Sequence, residues 1–216
     1  MKSLKEYVNE GLLDRVKNKE VNHNAIVKEF LDENYEIYGY YTIKTSNNRF
    51  VVDVKGRVIV KNKYITSLTN GLFEFGEVRQ DFNCSGCDSL TSLEGAPEKC
   101  GGFYCNDCNS LTSLKGASKK VEWSFYCSGC NSLTSLEGAP REVGWEFNCS
   151  DCKSLKSLKG APKKVDDRFA CIGCKSLKSL EGAPKKVGGD FDCRRCSVKF
   201  EKEDVKKYTN AKKIIV

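Results

Sequence analysis

Residues 82–97 read FNCSGCDSLTSLEGAP, and nearly the same string returns four more times. It appears as FYCNDCNSLTSLKGAS from Phe103, FYCSGCNSLTSLEGAP from Phe125, FNCSDCKSLKSLKGAP from Phe147 and FACIGCKSLKSLEGAP from Phe169. A sixth copy, FDCRRC from Phe191, begins in step and then departs. The step from Phe to Phe is 21 residues between 82 and 103 and 22 thereafter. Self-similarity at a fixed period of this size is the mark of a repeat solenoid, in which each copy is one coil and buries its apolar side only against its neighbours.

Within a copy, Phe and the first Cys are two residues apart and so share one side of a short strand. The second Cys and two Leu follow at steps of three, then a Gly-Ala-Pro turn and a Val. Coils stacked at a strand spacing of about 4.8 Å place equivalent residues in ladders. One ladder runs through Phe82, Phe103, Phe125, Phe147, Phe169 and Phe191; another runs through Leu93, Leu114, Leu136, Leu158 and Leu180. A third holds Val78, Cys100, Val121, Val143, Val165 and Val187. Gly95, Gly116, Gly138, Gly160 and Gly182 mark the turn, and all four prolines (Pro97, Pro140, Pro162, Pro184) lie two positions after such a glycine. Proline there blocks a helix, so the return side of each coil is expected to be extended or irregular.

The spaced pattern resembles the leucine-rich repeat, in a variant with two residues between Cys and the next Leu. The cysteine-containing repeats of bacterial BspA-like surface proteins look most similar, and comparable arrays occur in tailed-phage genomes. The resemblance covers roughly residues 57–200. It implies a right-handed solenoid of short parallel strands, mainly β, with a variable concave face that binds protein partners. It also implies that the second Cys of each copy satisfies backbone groups at a bend. Function itself does not follow from such a fold, which serves many unrelated partners.

Cys84-x2-Cys87-x17-Cys105-x2-Cys108 also fits the spacing of a four-thiolate zinc site. A buried ladder is the stronger reading. Cys100 stands where other copies carry Val, as a small buried hydrophobe. A degenerate earlier copy from Val58 puts Val60 at the first-cysteine position, and same-side placement with Phe aims the first cysteines inward. Zinc on Cys84, Cys87, Cys105 and Cys108 stays as the alternative, and disulfides between stacked cysteines as a third. The opening MKSLKEYVNEGLLDRVKNKE mixes acids and bases and carries no secretory signal, which points to a reducing cytoplasm and free thiols. Its first ten residues also look like the start of small tailed-phage proteins.

With 216 residues and 39% hydrophobic content, the chain reads as one elongated domain. Residues 1–56 form an N-terminal cap, 57–196 the solenoid and 197–216 a C-terminal cap. The first cap is expected to hold an amphipathic helix over 2–18 (Leu4, Val8, Leu12, Val16) and a second helix capped by Asn24, pairing Ile26 with Phe30 and Val27 with Leu31. Alternation from Ile37 to Lys61 then predicts an antiparallel meander, with turns at TSNN and at Lys55-Gly56. The last cap is read as a short helix with Phe200, Val205 and Tyr208 inward, then an edge strand in TNAKKIIV. His23, the only histidine, is read as a surface residue. No P-loop, Rossmann or hydrolase signature occurs, so neither an enzyme nor a cofactor is expected. No apolar run reaches the roughly 20 residues of a membrane span.

Alternation places the residues beside Phe and Cys outward. These differ between copies while the inward ones hardly change. The expected partner surface comprises Tyr104, Tyr126, Glu146, Asn148, Arg168, Asp190, Asp192 and Arg194, with the tyrosine pair as aromatic anchor and Trp123 and Trp145 near its edge. A second feature is basic. In the fourth and fifth copies Lys153, Lys156, Lys175 and Lys178 replace Asn and Thr. Recognition of a protein partner, a host protein in the case of a phage-encoded factor, is the leading expectation. A zinc-binding protein that contacts nucleic acid through these lysines is the alternative.

Overall fold

The computed structural model describes residues 23–46 and 49–216. The chain divides into two compact units, Met1–Glu33 and Asn34–Val216. In the first, a helix spans His23–Asn34, with Val27, Phe30 and Leu31 buried at steps of three and one. Asn24 lies inside this helix and is not the cap expected of it. The helix read over 2–18 lies outside the described residues.

The second unit is a β-solenoid of about 8 turns. Each coil contributes two short strands, not one. Glu142–Val143 and Phe147–Asn148 are typical, separated by a corner of three residues. The Phe strands of neighbouring coils pair with one another, all parallel and in register: Phe82↔Phe103, Phe103↔Phe125, Phe125↔Phe147, Phe147↔Phe169 and Phe169↔Phe191. The valines, expected on the return leg, form a second parallel ladder through Val78↔Cys100, Cys100↔Val121, Val121↔Val143, Val143↔Val165 and Val165↔Val187. Both ladders end on one strand, Lys186–Asp192, which continues unbroken around the corner. The rest of each coil is turns, without helix.

Core packing follows from this register. All six ladder phenylalanines are fully buried, with neighbouring ring centroids 5.0 to 5.5 Å apart. From Phe103 to Phe191 the rings are nearly parallel, between 4° and 16°. Burying one such ring contributes roughly 1.5–3 kcal/mol, and stacking adds to that. The turn glycines close the coil from the other side. Gly138 has φ +94, and a Cβ there would meet the Lys115 nitrogen of the preceding coil at 2.4 Å. Both the backbone angle and the approach require glycine.

The 21-residue step has a local cause. The corner after Cys100 has two residues, Gly101-Gly102, where the next has three, Glu122 to Ser124. The missing residue is absorbed there without disturbing either ladder. The same coil pair resolves the odd cysteine. Ser118, standing where other copies have Pro, accepts a hydrogen bond from the Cys100 thiol at 3.3 Å and donates to the Pro97 carbonyl at 2.6 Å. Cys100 is therefore more than a small hydrophobe. Two departures from the repeat form one buried polar pair.

The segment before the repeats corrects the expected meander. Tyr35–Tyr38 and Tyr41–Ser46 pair antiparallel with Arg57–Val60 and Arg49–Val54, in one continuous register from Tyr35↔Val60 to Ser46↔Arg49. This is one long hairpin bent in the middle, whose last described pair is Ser46↔Arg49; the turn expected at TSNN extends into residues 47–48, outside the described residues. Lys55-Gly56 is a coil corner, not a turn. Val54 pairs parallel with Val78, and Val58 pairs parallel with Phe82, which a hairpin at that point would forbid. Parallel pairing thus already begins at Val51↔Glu74, inside the segment expected to be cap. At the far end a helix spans Lys202–Lys206, and Asn210–Ile215 runs parallel to the whole of Lys186–Asp192. Phe200 and Val205 are buried as expected, but Tyr208 is 40% exposed.

Candidate recognition surface

The outward side of the Phe strands carries a continuous stripe. Tyr104 and Tyr126 are register partners, with ring centroids 5.3 Å apart and planes at 69°, so they meet edge to face, not stacked. The Tyr126 hydroxyl donates to Glu146 at 2.9 Å, and Asn148 Nδ2 donates to the other oxygen of that carboxylate at 3.2 Å. Arg168 follows, 3.7 Å from Glu146 and 2.7 Å from Asp192. Arg194 completes the chain with two hydrogen bonds to Asp192, at 3.0 and 2.9 Å. Residues chosen separately by strand alternation therefore form one network, four coils long. Burial lifts the hydroxyl pKa of both tyrosines, with the Glu146 carboxylate adding at Tyr126, so both remain neutral donors.

Three of the expected contact residues have other roles. The Asp192 side chain is fully buried, held between Arg168 and Arg194. It positions the two guanidinium groups and cannot itself touch a partner. Burial alone would raise its pKa, but the hydrogen bonds from Arg194 and Arg168 outweigh this and hold it below the usual carboxylate range. Asp190 faces Lys213 of the last strand at 3.7 Å. Trp123 is half-buried and lies over Gly101, where a Cβ would meet its ring at 2.7 Å, while Trp145 beside it is 61% exposed. Their centroids are 6.4 Å apart, at the corner and not on the stripe.

Two groups that alternation did not single out extend the stripe. Arg57 and Ile59 join Asp81, Asn83 and Tyr104 around a depression of about 150 Å³. The signal was available, since Val58 in the Phe ladder places Ile59 opposite Asn83. Gly102 permits the approach of Asp81 to Tyr104, because a Cβ there would meet Asp81 Oδ1 at 2.5 Å and the Tyr104 ring at 2.8 Å. Among the described residues, Asp81 Oδ1 and Arg168 Nε are buried without a hydrogen-bond partner.

The cysteines form two inner ladders. All thirteen are free, and twelve are buried. From the second copy on, the second thiol donates to the carbonyl of the first Cys one coil earlier: Cys108 to Cys84, Cys130 to Cys105, Cys152 to Cys127, Cys174 to Cys149 and Cys196 to Cys171, at 3.0 to 3.3 Å. These carbonyls sit where the strand bends away from its ladder, so the thiol supplies the donor that they would otherwise lack. Burial holds Cys105, Cys127 and Cys171 well above the usual thiol range and pushes Cys87 and Cys100 up to about 12. Cys108 shifts the other way, because the Cys130 and Cys84 thiols stand close enough to donate to it. Cys84, Cys87, Cys105 and Cys108 are divided between the two ladders. Among the described residues no group of three His, Cys, Asp or Glu side chains is placed to hold a metal ion.

The lysines named above are exposed, on the segment after the second Cys. Among the described residues no helix is long and apolar enough to cross a membrane. His23 opens the described helix. No protein family, no curated protein and no solved structure matches this chain.

Proposed function

We propose that this solenoid is a non-enzymatic recognition module that binds a protein partner through the stripe from Tyr104 to Arg194. The observation that carries this reading is the outward stripe itself, where the half-buried pair Tyr104 and Tyr126 stands beside the network of Glu146, Arg168 and Arg194. Aromatic and arginine residues are also the usual centres of binding energy. The contrast between unvarying inward ladders and freely differing outward positions supports the same reading.

The likeness of the first ten residues to tailed-phage proteins supports a bacterial host protein as the partner, met in the host cytoplasm. The test is the double variant Tyr104→Ala, Tyr126→Ala, compared with the parent by affinity capture from bacterial lysate and then by titration with the purified partner. At least a tenfold loss of affinity is expected, with the urea midpoint nearly unchanged. Equal affinity in the double variant, or capture of nothing by the parent, would sink the proposal.

A further inference from the structure

We propose that the lysine rows of the fourth and fifth coils form a second binding surface, for the phosphate backbone of duplex nucleic acid. The rows occupy two ladder positions after the second Cys. The first runs Asp88, Asn109, Asn131, Lys153, Lys175; the second runs Thr91, Thr112, Thr134, Lys156, Lys178. Stacking at these positions is direct, as Asn131 donates to Asn109 at 2.7 Å and the Lys156 nitrogen to the Thr134 carbonyl at 3.1 Å. Lys175 therefore lies over Lys153, and Lys178 over Lys156, about 4.8 Å apart at the backbone. Like charges stacked in register on neighbouring coils repel each other.

The adjoining ladder balances its charges. It reads Glu94, Lys115, Glu137, Lys159, Glu181, alternating at every coil, with ion pairs at 3.0 Å (Lys115–Glu94) and 3.2 Å (Lys159–Glu137). Lys153, Lys156 and Lys178 have no such partner among the described residues. Lys175 donates to the Arg195 carbonyl, which leaves its charge uncompensated and brings exposed Arg195 to the end of the patch. Residues 82–146 hold more acids than bases, and residues 147–190 hold the reverse. The positive charge is segregated, at an electrostatic cost, onto one exposed area.

The surroundings select the ligand. Every leucine between these lysines is fully or almost fully buried, and no aromatic residue occurs in the two KSLKSL segments. Nothing is available to stack an unpaired base or to enter a lipid layer. Half-buried Ser154, Ser157, Ser176 and Ser179 add hydroxyl donors between the ammonium groups. Regular rows of cations with interspersed hydroxyls fit a regular line of phosphates, as a duplex presents.

The test uses fluorescence anisotropy of the full chain with a labelled random-sequence 20-base-pair DNA duplex, in parallel with anionic vesicles and poly-glutamate. Duplex binding at 50 mM salt is expected, with log affinity falling by roughly 0.9 per neutralised phosphate for each unit of log salt. Lys156→Gln with Lys178→Gln should lower that slope by about 2, whereas Lys115→Gln with Lys119→Gln should leave it unchanged. The Tyr104→Ala, Tyr126→Ala variant should bind DNA normally, which separates this proposal from the preceding one. Absence of duplex binding at 50 mM salt, an unchanged slope in the Lys156/Lys178 variant, or stronger binding to vesicles or poly-glutamate would overturn it. Circular dichroism of each variant confirms the fold.

Discussion

Phe147 and Asn148 are neighbours on one strand and belong to two different kinds of surface. On the inward side, Phe147 repeats Phe125 and precedes Phe169, with rings at 6° and 4° to its neighbours. On the outward side, the sequence of register partners is Asn83, Tyr104, Tyr126, Asn148, Ala170, Asp192, with no two coils required to agree. The inward ladder is stable because every unit is alike. The outward stripe is cohesive because its units differ: Tyr donates to Glu, Glu meets Arg, and Arg meets Asp. Repetition builds a core, and departure from repetition builds a surface with a defined chemistry.

The largest expected effect lies on the inward side. Phe147→Ala removes a ring stacked on both faces and should destabilise the chain by about 3–5 kcal/mol in urea unfolding. A cost below about 1 kcal/mol would mean that the coils do not depend on the aromatic stack, and the comparison would fail. The next effect lies on the outward side. Asp192→Asn leaves Arg168 and Arg194 without their shared carboxylate and should cost about 1.5–3 kcal/mol. Its pH dependence has a definite sign. A carboxyl held below its ordinary value of about 3.9 stabilises the fold above that pH, and the contribution disappears as pH falls through the folded value. Thermal unfolding of the parent should therefore approach that of Asp192→Asn on acidification from pH 5 towards pH 2. A gap that persists or widens would show that charge is not what Asp192 supplies.

The smallest effect sharpens the comparison, because it concerns a departure from repetition inside the core. Ser118→Ala strands the Cys100 thiol and loses the bond to Pro97, for a cost of roughly 1 kcal/mol. Cys100→Val combined with Ser118→Pro restores the consensus at both positions. The double variant should be more stable than the sum of its single variants predicts, by roughly 0.5–1 kcal/mol. Strict additivity would show that the two exceptions arose independently of each other.

The sequence by itself determined the solenoid, the membership of the Phe, Leu, Val and Cys ladders, and the opposition of tyrosines on the outer side. A period that repeats with a single one-residue deviation leaves one register, and in that register identical apolar residues must stack. It also determined the lysine rows, since stacking follows from the period alone. What the tertiary structure decided lies where the period is broken or where a residue meets something outside its own ladder. Alternation placed Asp192 outward, but the guanidinium groups of Arg168 and Arg194 enclose it, and no local pattern shows that an arginine one coil away will meet that carboxylate. Lys55-Gly56 looked like a turn because a corner and a turn use the same small residues; only the parallel partners Val78 and Phe82 distinguish them. The alternation of Asp107, Gly129, Asp151 and Gly173 before the second Cys belongs here too. Asp107 Oδ1 would lie 2.1 Å from a Cβ on Gly129, and Asp151 Oδ1 2.2 Å from one on Gly173. Each side chain takes the space that its neighbour gives up, and that exclusion exists only between coils in three dimensions.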